Sequence, residues 1–433
     1  KLKPPVIYIT MQILNMDNIG TNSRRIYALE KIQNAINNLN PAAAMSRNFN
    51  LDTEKFHRVY VIGFGKASFN MYSGIRERVL KKLSYAGIII PDDEVHNEPY
   101  TELEVLRGTH PYVSSLSVES SKKLLSHLDG LTEKDLVIVL ISGGGSSLFE
   151  ILETGIDVND LKDISAEIME NDGDIYVLNR LRSSLSAVKN GKLAKYLYPA
   201  SVAGYIISDV VYDNLNIIAS GPLVNIPAPA NLKELAKKYI KDARLRDIIE
   251  KVDISKTLDS KYFTNVKNTI VLKNRDFVDY IYSELEGEKI NLGSNINGDV
   301  KVVSKDLTDI LRTILEIKGE PFWFVCGGET TVTVTGNGSG GRNQELAVRV
   351  MENMGDNDFL FISMGTDGID GKSIAAGGIV DNSTRIENLE QYLASNDTYT
   401  ALSKAHGAIL TGRTGNNVSD IMLGFFGRTN NNF

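Results

Sequence analysis

The sequence predicts an α/β protein of two domains, the first a Rossmann-like, doubly wound and mostly parallel sheet. Three observations predict it. Short apolar runs rich in Val and Ile, at 59–65 (VYVIGFG) and 136–145 (LVIVLISGGG), break into glycines and then into segments able to start a helix. A parallel strand buried on both faces reads this way, and its carboxyl end is where open α/β sheets bind ligands. Stretches with apolar residues at three- and four-residue spacing alternate with these runs, as βαβ units require. At 433 residues the chain also exceeds what one core usually fills.

Residues 1–10 (KLKPPVIYIT) precede Met11 and are set aside as vector-derived or an upstream extension. The spacing predicts an amphipathic helix over 26–39, interrupted by Pro41. Strands at 59–62 and 86–90 bracket a helix at 69–83, a βαβ unit. A strand at 103–107 follows, and after His110-Pro111 the chain enters a helix at 118–128 before a strand at 136–141. Three or four parallel strands with helices between them make the first sheet. Helices near 157–170 and 175–197 lead to a strand at 202–207, which ends in SDVVYDN. The Pro-rich 222–229 reads as a boundary or hinge. Helical periodicity returns over 232–252. A second alternation then places strands at 269–272, 288–292, 321–326, 330–334, 359–363 and 407–411. The domains fall at 11–260 and 261–433, and the polar tail 428–433 (RTNNNF) is expected to fray.

Composition narrows the function. The chain is 42% hydrophobic and 23% charged with net charge -7, ordinary for a soluble enzyme. A pI near 5.5 gives no basic field for nucleic acid but leaves room for a local anion site. The single cysteine, Cys326, lies in an apolar run (PFWFVC) and reads as a buried structural thiol of a reducing, cytoplasmic setting. No apolar run approaches the ~18 residues of a membrane span, and the amino terminus lacks the order of a signal peptide.

The candidate chemistry lies in the glycine loops. Ser142, Gly143, Gly144, Gly145, Ser146 and Ser147 (SGGGSS) follow a strand directly. Successive N–H groups in such a turn form an anion nest, although no Lys follows at the spacing of a P-loop. Gly63 and Gly65 belong to GFGKAS, in which Lys66 is placed to meet phosphate or carboxylate as a compact charge. Between Cys326 and Glu345 the chain reads CGGETTVTVTGNGSGGRNQE, where glycines lead to Arg342, whose planar fork matches an oxyanion; Asn343 stands beside it. Asp209 and Asp213 end one strand, and Asp367 and Asp370 end another. Aspartates there suit Mg²⁺ or a general base, against the alternative of an Asx-turn. Asp209, Glu329 and Asp367 are the candidate metal ligands. The alternative for Arg342 is a salt bridge with Glu345. Arg182, Lys189 and Lys192 line the same cleft or solvate a helix face. No two of the five histidines have metal-ligand spacing, and only His110 is in a loop able to reach the site.

In this order, GFGKAS (63–68), HP (110–111), ISGGGSSL (141–148), LSAVKNGKLA (185–194), ISD and ASGP (206–209, 219–222), CGGETTVTV (326–334), GSGGRNQELA (338–347), GTDGIDG with AAGGIVDN (365–371, 375–382) and TGRTGNNVSD (411–420) resemble the glycerate 2-kinase family that contains a MOFRL domain. The resemblance implies transfer of the ATP γ-phosphoryl group to D-glycerate with Mg²⁺ or another divalent cation, in a cleft between two α/β domains. It implies Lys66 and Arg342 as leading catalytic residues, and the family suggests a homodimer. The expected mechanism is direct in-line transfer, with SGGGSS cradling an anionic group and Asp209 or Asp367 holding Mg²⁺ or accepting the hydroxyl proton. Three positions depart from the family pattern: Ser184 stands for a histidine, Tyr212 for a glycine and Arg413 for a proline. The rivals are an NAD(P)-dependent hydroxypyruvate reductase, for which Asp92 and Asp93 come late as ribose ligands, and a non-catalytic nucleotide sensor.

Overall fold

The computed structural model describes residues 11–94, 100–227, 231–252 and 257–428; the expectations for 1–10, for most of the tail and for part of the proline-rich stretch lie outside the described residues. Of the described residues, those up to Asn40, Asp209–Tyr212 and those from Leu272 onward form one compact unit. Pro41–Ser208 and Asp213–Val271 form the other.

The second of these is built on six strands: β1 (Val59–Phe64), β2 (Leu83–Pro91), β3 (Leu103–Gly108), β4 (Leu136–Ile141), β5 (Ser201–Ile207) and β6 (Val266–Leu272), in the order β3-β2-β1-β4-β5-β6. The pairings β1–β2, β1–β4, β2–β3 and β4–β5 are parallel. Every residue of β1 and β4 is buried, which explains why both read as unbroken apolar runs. The order makes β1 and β4 neighbours at the place where the winding reverses, and ligands bind beyond the carboxyl ends of strands at such a point. A separate cluster of helices packs Leu161, Ile164, Leu181, Leu232, Leu245 and Ile249 into its own core.

The other unit holds a mixed sheet: β7 (Lys289–Asn291), β8 (Ile296–Asp299), β9 (Phe322–Thr331), β10 (Asp358–Gly365), β11 (Gly377–Asp381), β12 (Ala408–Ile409) and β13 (Asp420–Gly427). Its order is β12-β11-β10-β13-β9-β7, with β8 also on β9. The four pairings from β12 across to β9 are antiparallel, while β7 and β8 run parallel to β9. Helices Val300–Lys318 and Arg342–Met354 cover it, their buried residues joining Phe322, Phe324, Phe361 and Phe426 in one core. Cys326 is buried there, its thiol pushed up to about 12 by burial and donating to Met422 Sδ.

Several boundaries differ from the sequence expectation. The strand near 269–272 is β6, the edge of the first sheet rather than the start of the second, and β9 ends at Thr331. The helix expected over 175–197 breaks into Ile175–Ser184 and Lys192–Leu197 because Asn190 and Gly191 take positive φ. That over 232–252 breaks before Asp242, which caps a new helix by accepting from Leu245 N. The break expected at 260/261 also moves: the amino-terminal helix Ser23–Asn38 packs with the carboxyl-terminal sheet.

Arg25 anchors that helix. The side chain is 1% exposed, and its Nε and Nη2 donate to Asp381 Oδ2 and Oδ1 at 2.7 and 3.1 Å, with further bonds to Thr384 Oγ1 and to the carbonyls of Ile19 and His406. Burial works against the Asp381 charge, but Arg25, Ser383 and Asn22 outweigh it and hold the carboxyl well below the usual range. Arg25→Met strands that carboxylate and is expected to cost about 3–5 kcal/mol in urea unfolding at neutral pH. A depressed folded-state pKa gives stability that is present above the unfolded value and lost as pH falls, so the gap between wild type and variant should narrow below about pH 4.

Candidate active site

At the carboxyl end of β1 the chain turns through Gly65 and Lys66 into helix Ser68–Val79; beside it, β4 turns through Ser142–Gly145. The two turns bond to each other. Ser142 N donates to Phe64 O, Lys66 N donates to Gly143 O at 3.0 Å, and Ala67 N donates to Ser142 Oγ at 3.0 Å. Gly65, at φ 121°, has no room for a side chain: a Cβ would lie 2.3 Å from Ser142 Oγ. Gly144, at φ 82°, is where His110 and Lys66 converge, a Cβ there meeting His110 Cδ2 at 2.9 Å and Lys66 Cγ at 3.6 Å. Lys66, Ser142–Ser147 and His110 therefore form one group, with Gly63 packed beneath it against Ile88, Leu140 and Ser68. Among the described residues, the N–H groups of Gly143 and Gly144 have no protein acceptor. These donors suit an oxyanion.

Lys189 and Lys192 are both held in internal ion pairs. Lys189 Nζ donates to Glu150 Oε2 at 2.6 Å in a fully buried pair, where burial presses its pKa down against the pull of Glu150. Lys192 Nζ donates to Glu153 and to the carbonyls of Ser184 and Ser186. Both tie the broken helix 175–197 to the segment after the glycine loop. Ser184, where the family pattern has a histidine, is buried and donates to Arg180 O.

The seven-stranded unit holds a second group. Arg342 is the first residue of its helix, and Nε and Nη2 donate to Asp420 Oδ2 and Oδ1 at 2.7 and 3.0 Å while Nη1 donates to Glu329 Oε1 at 3.0 Å. Burial opposes the guanidinium charge, but Asp420 and then Glu329 and Asp370 hold its pKa above the ordinary value. Three of its five N–H donors are committed here, and its side chain stays 32% exposed. The alternative reading of Arg342 placed a salt bridge with Glu345; its ion pairs are with Asp420 and Glu329, and Glu345 accepts from Arg349. Asp420, which sequence reasoning missed, is fully buried, its strand neighbours being Gly328 and Gly365.

Asn343 is buried and uses its amide on Asp420 and Asp370 while accepting from Ser363 Oγ. Its side chain is thereby engaged with the acids that face Arg342. Asp370 is buried as well and caps the helix by accepting from the N–H groups of Asn343 and Gln344. Burial pushes its carboxyl up to about 6 despite those bonds. Asp367 makes the Asx-turn, accepting from Ile369 N, and its carbonyl accepts from Thr414 N. Asp209 accepts from Asn417 Nδ2, and its carbonyl from Ser419 Oγ, so both aspartates border the 411–420 loop. Among the described residues no three acidic, imidazole or thiol groups gather to hold a metal. Asp209 and Asp367 offer carboxylate oxygens, the ligand type that an ion such as Mg²⁺ takes one or two of while keeping its waters and phosphate oxygens. Glu329 fits it least, because a guanidinium already neutralises it.

Tyr212, where the family pattern has glycine, sits at φ 67° and is 70% exposed. The left-handed conformation costs a side-chain-bearing residue about 1–2 kcal/mol, against ~0.5–1 kcal/mol for the extra chain entropy of glycine. Tyr212→Gly is therefore expected to stabilise the protein by up to about 1 kcal/mol in urea unfolding.

Residues 27–254 match a family described as a domain of unknown function (DUF4147), and residues 322–420 match the MOFRL family. The chain is 52% identical over 418 residues to the glycerate 2-kinase of Picrophilus torridus, covering 96% of this chain and 99% of that one. It is 31% identical over 416 residues to the D-glycerate 2-kinase of Thermotoga maritima, covering 92% and 97%. The crystal structure of a glycerate kinase from Thermotoga maritima superposes with a TM-score of 0.81 at 30% identity, covering 92% of this chain and 98% of that one. A crystal structure of a Pyrococcus horikoshii protein gives 0.72 at 30% identity, covering 96% and 99%.

Proposed function

Because the chain belongs to the glycerate 2-kinase family, as 52% identity along nearly its whole length shows, we propose that it transfers the γ-phosphoryl group of ATP to the 2-hydroxyl of D-glycerate. The observation that carries the reading is the paired glycine turns at the β1/β4 switch point, where Lys66 stands beside N–H donors with no protein acceptor. A hydride-transferring reductase is disfavoured by the same relatives, which are kinases by name.

Phosphoryl transfer asks the protein for position and for charge stabilisation. We assign Lys66 and the outward N–H groups of Arg342 to the oxygens of the transferring phosphoryl and to the glycerate carboxylate, and loop 142–147 to one of those anions. Transfer is direct and in line, with no phosphoenzyme. Asp209 or Asp367 accepts the hydroxyl proton, and the other stands as a ligand for Mg²⁺, which when bound neutralises phosphate charge. We further propose a cytoplasmic homodimer.

In ³¹P NMR of enzyme, ATP, Mg²⁺ and D-glycerate, the expected product is 2-phosphoglycerate; 3-phosphoglycerate would correct the acceptor oxygen, and no phosphoglycerate would refute the assignment. Lys66→Ala is expected to lower kcat/KM by about a hundredfold or more. Arg342→Ala should do the same, but it also strands the buried Asp420, so Arg342→Lys is the cleaner variant: the charge stays and the two-pronged fork is lost. Near-normal kcat/KM in both Lys66→Ala and Arg342→Lys would remove these residues from the mechanism.

A further inference from the structure

The ASGP segment, 219–222, has no part in the function as argued so far, yet it is the most strained backbone beside the glycine loop. Ala219, Ser220 and Gly221 take φ of 47°, 62° and 60° in succession. Side-chain-bearing residues rarely adopt that conformation, and such strain persists only where the surroundings enforce it. Here two bonds from the neighbouring turn enforce it: Asn190 N donates to Ser220 O at 3.0 Å and Gly191 N to Gly221 O at 2.7 Å. That turn is fixed in turn by the buried Lys189–Glu150 pair.

The conformation has a specific result. Ala219 Cβ closes on Gly145, leaving only 3.1 Å to where a Cβ would stand there, and the Ser220 hydroxyl comes within 2.7 Å of the Ser146 hydroxyl. Two hydroxyls joined in this way share one proton between them. The accepting hydroxyl keeps its own proton, and among the described residues neither oxygen has another protein partner. Both side chains are half-buried, and Ser146 belongs to the same glycine turn as Gly143 and Gly144.

We propose that Ser220 is a further substrate-binding residue, which together with Ser146 presents a hydroxyl proton to the oxyanion held by loop 142–147. The inference rests on the kinase reading and adds a donor to its anion site. Glycine would take φ 62° without strain, so the backbone conformation itself does not require a side chain at 220.

The test compares Ser220→Ala and Ser220→Gly with wild type in steady-state kinetics with ATP and D-glycerate, alongside thermal unfolding. Ser220→Gly removes the hydroxyl and relieves the backbone together, so it should melt at or near the wild-type temperature. Loss of a hydrogen bond to a charged group predicts that kcat/KM falls about ten- to hundredfold in both variants. A rise confined to the KM for ATP identifies the oxyanion as phosphate, and one confined to the KM for glycerate identifies it as carboxylate. A Ser220→Gly enzyme that keeps kcat/KM within about twofold of wild type overturns the proposal. A wild-type enzyme that makes no phosphoglycerate instead overturns the reading beneath it, so the two failures are distinguishable.

Discussion

The distance between Gly65 and Ser142 governs the first group of functional residues. With β1 and β4 adjacent and parallel, their carboxyl ends emerge side by side, and the two turns lie backbone to backbone only because residue 65 has no Cβ. The hydroxyl of Ser142 then serves as the acceptor for Ala67 N and the carbonyl of Gly143 as the acceptor for Lys66 N. These bonds fix where Lys66 leaves the backbone and leave the N–H groups of Gly143 and Gly144 without a protein acceptor among the described residues. A single methyl group at residue 65 would push the turns apart, and lysine and nest would lose their common focus.

The second group obeys a different constraint, that a buried charge needs a partner. Asp420 opens β13 with its carboxylate fully buried, and the bidentate fork of Arg342 compensates it. The arginine is thereby fixed along two axes, with Glu329 restraining the third. A guanidinium so held loses little freedom on meeting an oxyanion, which is the benefit of preorganised charge. The carboxylates that surround it also temper its charge. In the proposed reaction Arg342 would therefore serve as an oriented donor more than as a free cation, a role that lysine lacks the fork to fill.

The sequence made the first sheet legible because burial on both faces writes a strand as an apolar run: 136–141 was expected and β4 is Leu136–Ile141. The second sheet was less legible. β11 begins with two glycines and β8 carries Gly298, and neither has an apolar run long enough to stand out. β6 has an intermediate face at the sheet edge, and nothing local tells which sheet it joins. In the site, Lys66 and Arg342 were visible because each stands among glycines. Asp420 was not, since its partner is far along the chain and only the pairing of β13 with β9 and β10 brings them together. Nor were Lys189 and Glu150, whose meeting depends on a helix that the periodicity ran through without a break.

Backbone strain gives a last, independent view of where function lies. Among the described residues ten other than glycine take positive φ, and four of them, Tyr212, Asp213, Ala219 and Ser220, fall within 212–220, in the connection that follows β5. Asparagine accounts for three of the other six, and its short amide tolerates the left-handed region. Tyrosine, alanine and serine have no such excuse. At roughly 1–3 kcal/mol each, this stretch gives up an appreciable part of a typical stability. At Tyr212 the exposed ring has no evident hold on the site, and relaxation to glycine should cost nothing. At Ser220 the side chain ends on Ser146, so relaxation would forfeit a hydroxyl at the anion site. The same backbone outlier thus reads as dispensable strain at one position and, under the proposal, as strain that carries a binding hydroxyl at the other, the difference lying in what each side chain touches.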